Sequence, residues 1–209
     1  MDTARIKILQ RIRRALKNRL PIPYPEVSDD EGIFQAQPAD LALCFAEQFQ
    51  LVGGHFIYCE STAVLMANLE QLTNIKGWNE IHCQDARWLH LFKSYEFNKI
   101  LNSPVFKEGA VSITSCVQLV ARSGSILLSS AQAAGRTLGI APDIHIVIAS
   151  TQQLVYSIKE ALEIQRQQYN PLPSMISLTT GASRTADIEK TLVMGAHGPR
   201  ELYLFLVES

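Results

Sequence analysis

The chain has 209 residues, of which 47% are hydrophobic and 19% charged, with a formal net charge of −1. That length suits one large α/β domain, or one domain with a helical appendage, and such a core needs no disulfide or metal staple. No apolar run approaches the roughly 20 residues that span a bilayer, and the first residues lack the apolar stretch of a secretory leader, so a cytoplasmic protein is expected.

The near-neutral total hides an asymmetry. Residues 1–19 hold seven Lys/Arg against one Asp, a local net of +6, while the remainder holds 12 basic and 19 acidic residues, a net of −7. Residues 3–19 predict a basic amphipathic helix, with Leu9, Ile12 and Leu16 at helical spacing, Ile8 and Ala15 beside them, and arginines on the other face. Two readings stand: contact with nucleic acid or an anionic membrane, or a solvated basic face whose apolar stripe packs on the body or on a second subunit of a homodimer. No aromatic residue interleaves the charges as single-strand binders require, so the second is preferred and no nucleic-acid partner is expected. Pro21, Pro23 and Pro25 impose an extended linker over residues 20–31, ending in the acidic stretch Asp29 to Glu31. The body, residues 32–209, follows.

Within the body, Pro38 to Leu51 predicts a helix and His55–Cys59 a short strand. Ser61 or Thr62 caps a helix that runs to about Asn74, with Val64, Leu65 and Leu69 on its buried side. Ile81–Cys83 is a brief strand, and Asp85 opens a helix through Phe92. This alternation implies parallel βαβ units. Residues 95–109 give no clear pattern. Val111–Thr114 is β-like, Ser115–Ala121 predicts one or two helical turns, and Ser125–Ser130 is a strand entered through Gly124. Ala131–Leu138 is helical or irregular. Ile144–Ala149 is a buried strand with His145 inside it, Thr151–Gln168 a helix capped by Ser150 or Thr151, and Met175–Thr179 and Glu201–Val207 are closing strands around a short helix.

Cys44, Cys59, Cys83 and Cys116 are scattered, and the five histidines are equally dispersed, so neither a metal site nor an iron–sulfur cluster of the chain's own is expected. The polar chemistry gathers near the C-terminus. In Thr179-Thr180-Gly181-Ala182-Ser183-Arg184-Thr185, Gly181 lets neighbouring N–H groups turn toward one point. Ser183 or Thr185 starts the next helix, whose N-terminus favours an anion, and Arg184 adds a bidentate fork for carboxylate or phosphate. The segment is expected at the carboxyl end of a strand, where open α/β sheets bind ligands. A self-neutralised cap, with Asp187 answering the N–H groups or Arg184 and Glu189 nearby, accounts for the same residues. The turn Gly195-Ala196-His197-Gly198-Pro199-Arg200-Glu201 supplies His197 as a candidate proton donor or acceptor and Arg200 as a second anion holder. Its bland alternative is a backbone-bonded His and an Arg200–Glu201 pair. A weaker third candidate is Arg122-Ser123-Gly124-Ser125 before the 125–130 strand with Gly135-Arg136 after it, where Ser129, Ser130 and Arg136 are candidates for phosphate contact.

Ser183 to Glu201, SRTADIEKTLVMGAHGPRE, resembles the signature of the lactate-utilization protein C family, the LUD domain: a Ser-Arg-Thr-Ala-Asp-Ile-Glu run, then Leu-Val-x-Gly-x-His-Gly-Pro, then Arg-Glu-Leu. Agreement extends more loosely over the N-terminal helix and Val111 to Ile148. The resemblance implies a mostly parallel, helix-flanked α/β fold similar to the NagB/RpiA/CoA-transferase-like group. It also implies membership of a system oxidising L-lactate to pyruvate, whose iron–sulfur cysteines reside in partner subunits. The chain departs from its relatives at Arg122-Ser123-Gly124-Ser125, where they often carry an acidic residue and Thr-Gly-Thr, so local charge is reversed. Three functions compete: a non-redox subunit of the lactate system that binds a small carboxylate or anionic cofactor, a freestanding CoA-transferase-like enzyme on a phosphorylated or carboxylated metabolite, and a docking module for iron–sulfur partners. The sequence leaves open whether the chain makes or breaks a bond.

Overall fold

The computed structural model describes residues 3–17, 37–101, 106–185, 193–195 and 197–208. The chain falls into two units, Met1–Gln37 and Pro38–Ser209. In the first, α1 (Thr3–Lys17) is the predicted basic helix, with Arg14 and Lys17 in its last turn and no acid in its first. The Pro-rich linker and the acidic stretch after it lie outside the described residues.

The second unit opens with α2 (Leu41–Leu51), begun by Asp40, whose carboxylate accepts from the N–H groups of Ala42 and Leu43. Then follow β1 (His55–Cys59), α3 (Thr62–Lys76), β2 (Ile81–Cys83), α4 (Ala86–Ser94) and the two-residue β3 (Ile100–Leu101), a strand in the stretch the sequence left unread. Ser61 and Asp85 cap α3 and α4. Leu65 and Leu69 are buried as expected, whereas Val64 is exposed.

Next come β4 (Val111–Ser115), β5 (Gln118–Val120), β6 (Ser125–Ser129), β7 (Ile144–Ser150), β8 (Leu154–Val155), α5 (Ile158–Gln168) and β9 (Ile176–Thr180). The chain closes through the two-residue strands β10 (Arg184–Thr185) and β11 (Val193–Met194) and then β12 (Glu201–Val207). Two expectations fail here. Residues expected to coil at 115–121 instead form β5 and a short 3-10 turn, because Leu119 and Val120 are needed as buried partners of Ile126 and Ser125. The helix expected over 151–168 starts only at Ile158, capped by Ser157, because Thr151–Gln153 make a single turn and Leu154–Val155 pair with β5.

Six strands form one wholly parallel sheet in the order β1-β12-β7-β4-β2-β3. Both its faces are covered, so its central strands read as continuous apolar runs rather than alternations. On one face Tyr203, Phe205, Ile146, Ile148 and Ile113 pack against Leu65, Leu69 and Phe92 of α3 and α4. On the other, Leu202, Leu204, Leu206, Val147 and Ala149 meet Phe45 and Phe49 of α2 and Leu119, Ile126 and Leu128. Those last three belong to a second sheet, β8-β5-β6-β9, whose far side carries α5 through Leu127, Val155 and Ala161. The architecture is thus the expected helix-flanked, mostly parallel sheet, with a second sheet that the sequence did not announce. No helix among the described residues is long and apolar enough to cross a membrane.

Candidate functional site

β9 belongs to the second sheet, and the loop after it, residues 181–183, folds back toward the first. The Ser183 N–H donates to the Pro199 carbonyl at 2.8 Å, and the Gly195 N–H donates to the Ser183 carbonyl at 2.9 Å. β10 and β11 pair antiparallel, Arg184 with Met194 and Thr185 with Val193. The two polar clusters singled out in the sequence are therefore brought together. Between them opens a cleft of about 590 Å³ whose walls include Val52, Thr180, Ser183, Arg184, His197 and Gly198.

The cleft is not where the strand rule put it. Residues 197–199 precede β12, Gly139 and Ile140 precede β7, and Leu51 and Val52 precede β1, so the cleft lies at the amino edge of the parallel sheet. The segment does end its own strand, but β9 runs antiparallel to β6 in the second sheet. At the carboxyl edge itself the groups answer one another. Ser115 donates to Asp85 at 2.5 Å and accepts from Arg87 and Trp88, while Arg87 holds Asp85 at 3.1 Å. Burial pushes the Asp85 carboxyl up, but the hydrogen bonds from Arg87 and Ser115 and the guanidinium charge outweigh it and hold the group below the usual carboxylate range.

Thr185 lies in β10 rather than at a helix start, so the helix N-terminus expected there is not part of the described site. Residues 186–192, with Asp187 and Glu189, lie outside the described residues. What organises the loop instead is its contact with the end of α2. Gly181 turns in the left-handed region (φ 71), and a Cβ there would collide with the Val52 carbonyl. Arg184 Nη2 donates to that carbonyl at 3.3 Å. Gly53 (φ 85) leaves room for the guanidinium, because a Cβ at 53 would strike Arg184 Nη2. Among the described residues no carboxylate pairs with Arg184. His197 is exposed on the rim.

Arg200 and Glu201 are engaged elsewhere, and not with each other. Arg200 Nε meets Asp143 Oδ1 at 3.1 Å, and the Arg200 N–H donates to the Asp143 carbonyl at 2.7 Å. Asp143 Oδ2 also accepts from the Gly109 N–H at 2.5 Å, so one carboxylate ties the starts of β4, β7 and β12. Arg200 does not line the cleft. Glu201 lies on the opposite face of β12, bonded to Lys76 at 3.1 Å and to the Tyr203 hydroxyl at 2.5 Å.

The weaker candidates divide. Ser125 reaches the cleft wall: its hydroxyl lies 2.7 Å from that of Thr180 and 2.7 Å from that of Ser123. Gly124 (φ 59) enters β6 with its backbone against that of Phe49 in α2. Ser129 is buried and caps the Ala131 N–H, and Ser130 bonds Met175. Arg136 bonds Ser174 beside a separate small hollow. Residues that sequence reasoning missed are Asp143, Val52, Gly53 and Gly139. An acid immediately before the buried strand at 144 was the one available signal, because its carboxylate has no place inside that strand.

The thiols are placed as apolar fillers. Burial pushes the Cys83 thiol up to about 11 and that of Cys116 to about 12, so both stay protonated near neutrality. His145 is fully buried in β7, with Nε2 2.7 Å from the Thr114 hydroxyl and Nδ1 unpartnered among the described residues, and burial lowers its pKa to about 4.

The LUD domain profile matches residues 43–207. Lactate utilization protein C of Bacillus subtilis is 30% identical over 175 residues, covering 72% of this chain and 71% of that protein. An uncharacterized protein of Neisseria meningitidis serogroup B is 35% identical over 88 residues, 42% of this chain and 38% of that one, so the matched stretch spans well under half of that relative. The crystal structure of a DUF162 family protein from Deinococcus radiodurans shares the fold, with a TM-score of 0.58 at 20% identity over 83% of this chain and 99% of that chain. The cleft and its two joined loops fall inside the matched region, and the chain belongs to the LUD domain family of lactate utilization protein C.

Proposed function

We propose that this chain serves L-lactate utilization as a non-redox subunit that binds a small carboxylate, or an anionic cofactor, in the cleft at the amino edge of the parallel sheet. The observation that carries the reading is the closure of the 181–185 loop on the 195–199 loop, which leaves Arg184 and His197 on one polar cleft. A guanidinium anchored to a backbone carbonyl keeps N–H groups for a carboxylate, and it loses little rotational freedom on binding. The relatives named lactate utilization protein C add the substrate class.

In this reading Arg184 holds the lactate carboxylate and His197 hydrogen-bonds the hydroxyl. Oxidation to pyruvate removes two electrons and two protons; iron–sulfur partner subunits of the system would supply the electron acceptor and solvent would take the protons, while this chain's residues hold the carboxylate and the hydroxyl. Arg200 acts as a latch on Asp143 rather than as an anion holder. The test is growth on L-lactate after chromosomal replacement by Arg184→Ala, with the variant's fold checked by circular dichroism. Loss of lactate-dependent growth with a folded protein is expected. Normal growth contradicts the reading.

A further inference from the structure

Ser125 is fully buried, yet it belongs to a chain of three hydroxyls that ends at the cleft. Its Oγ lies 2.7 Å from Ser123 Oγ and 2.7 Å from Thr180 Oγ1, and Thr180 is exposed on the cleft wall. We infer that Ser125 is a positioning residue that orients the Thr180 hydroxyl as a hydrogen-bond donor to an oxyanion in the cleft, a deepening that rests on the anion-binding reading above.

Each hydroxyl has one proton to give. If Ser125 donates to Thr180, the Thr180 proton is free to point away from Ser125, toward the cleft. If Ser125 turns instead toward the Ser123 carbonyl, its contact is 3.5 Å, at the edge of a hydrogen bond. The two 2.7 Å contacts therefore hold the chain together, and a negative charge at its open end selects the order Ser123 to Ser125 to Thr180 to ligand. Successive hydroxyls polarise one another in a low-dielectric setting, so the terminal donor is stronger than an isolated threonine. A neutral ligand gains far less from that order. The β6–β9 pairing fixes the geometry, since Ser125 and Thr180 face each other directly in the register. The chain also links the Ser123-Gly124-Ser125 turn to the site.

The experiment is calorimetric titration of L-lactate, and separately of inorganic phosphate, into wild type, Ser125→Ala, Thr180→Val and the double variant, with neutral lactamide as control. Arg184→Ala is titrated alongside, and near-ultraviolet circular dichroism reports folding. Whichever oxyanion wild type binds, each single variant should weaken it roughly ten-fold, the loss of one charge-assisted hydrogen bond, and the double variant no further. Lactamide binding should change little. Wild-type affinity in folded Ser125→Ala or in Thr180→Val overturns the inference, as do additive losses or equal losses for lactamide. If Arg184→Ala loses the oxyanion while the hydroxyl variants keep it, the anion reading stands and this inference falls. If wild type binds neither oxyanion, both fall.

Discussion

At the residue scale, Arg184 and Arg200 show how neighbouring guanidinium groups take different work from what surrounds them. Arg184 rests on the Val52 carbonyl, with Gly53 making space. A side chain at 53 would meet the guanidinium and also strain a positive φ, so Gly53→Ala should lower oxyanion affinity and stability together, read by titration and thermal melting. Unchanged affinity in that variant would mean Arg184 is not held where binding occurs. Arg200, by contrast, is spent on Asp143, which also accepts from Gly109. Asp143→Ala removes both bonds of that carboxylate, to Arg200 and to Gly109, while keeping the backbone bond, and should cost about 1–3 kcal/mol in urea melts. Glu201→Ala, on the other face, should leave the latch intact. The sequence could rank these arginines by composition only. That Arg200 would meet a carboxylate and Arg184 a backbone carbonyl depended on Asp143, 57 positions before Arg200, and on Val52, 132 before Arg184, and no local pattern reports such pairings.

Among the elements, α2 lends its C-terminal end to the cleft wall and its body to the core. Its start is fixed by Asp40, its middle by the stacked rings of Phe45 and Phe49, and its end supplies the Val52 carbonyl to Arg184. Phe49 is fully buried against the parallel sheet and the second sheet. Phe49→Ala should cost about 3–5 kcal/mol, whereas Asp40→Ala should cost about 1 kcal/mol, both measured as changes in the urea midpoint. Helices begun by Ser61 and Asp85 and the apolar strands at 55, 81, 111, 144 and 201 were legible because caps and buried runs are local signals, whereas the first body helix, expected from Pro38, starts at Leu41 behind the Asp40 cap. The strands β5 and β8 were not, because three- and two-residue strands are created by their partners. Leu154–Val155 become a strand only because Leu119–Val120 lie beside them. The site's edge was misjudged for the same reason: nothing local says that residues 176–180 join a second sheet.

For the whole molecule, acid stability reports the buried centre of the parallel sheet. His145 sits in its third strand, and burial holds its pKa near 4 against an ordinary 6.5. Between those values the unfolded chain binds a proton that the folded chain does not, so stability is unaffected by this group above 6.5 and falls as pH drops toward 4. The loss reaches on the order of 3 kcal/mol at pH 4. Asp85 behaves oppositely in position: its contribution is present above its ordinary 3.8 and is lost only below that value. Urea melts between pH 6.5 and about 5.5 therefore weigh chiefly the histidine among the described groups, because the Asp85 and Glu201 contributions are lost around and below their ordinary 3.8 and 4.5. His145→Gln should flatten the pH dependence in that window, and an unchanged slope would show that His145 accepts its proton without leaving the sheet.

The account turns on the cleft that joins the 181–185 and 195–199 loops, and titrating L-lactate into wild-type protein and Arg184→Ala tests it most directly. Saturable binding by wild type, weakened at least ten-fold in a folded Arg184→Ala and left nearly unchanged in Arg200→Ala, is the predicted result. Equal binding by wild type and Arg184→Ala, or a loss confined to Arg200→Ala, would contradict it.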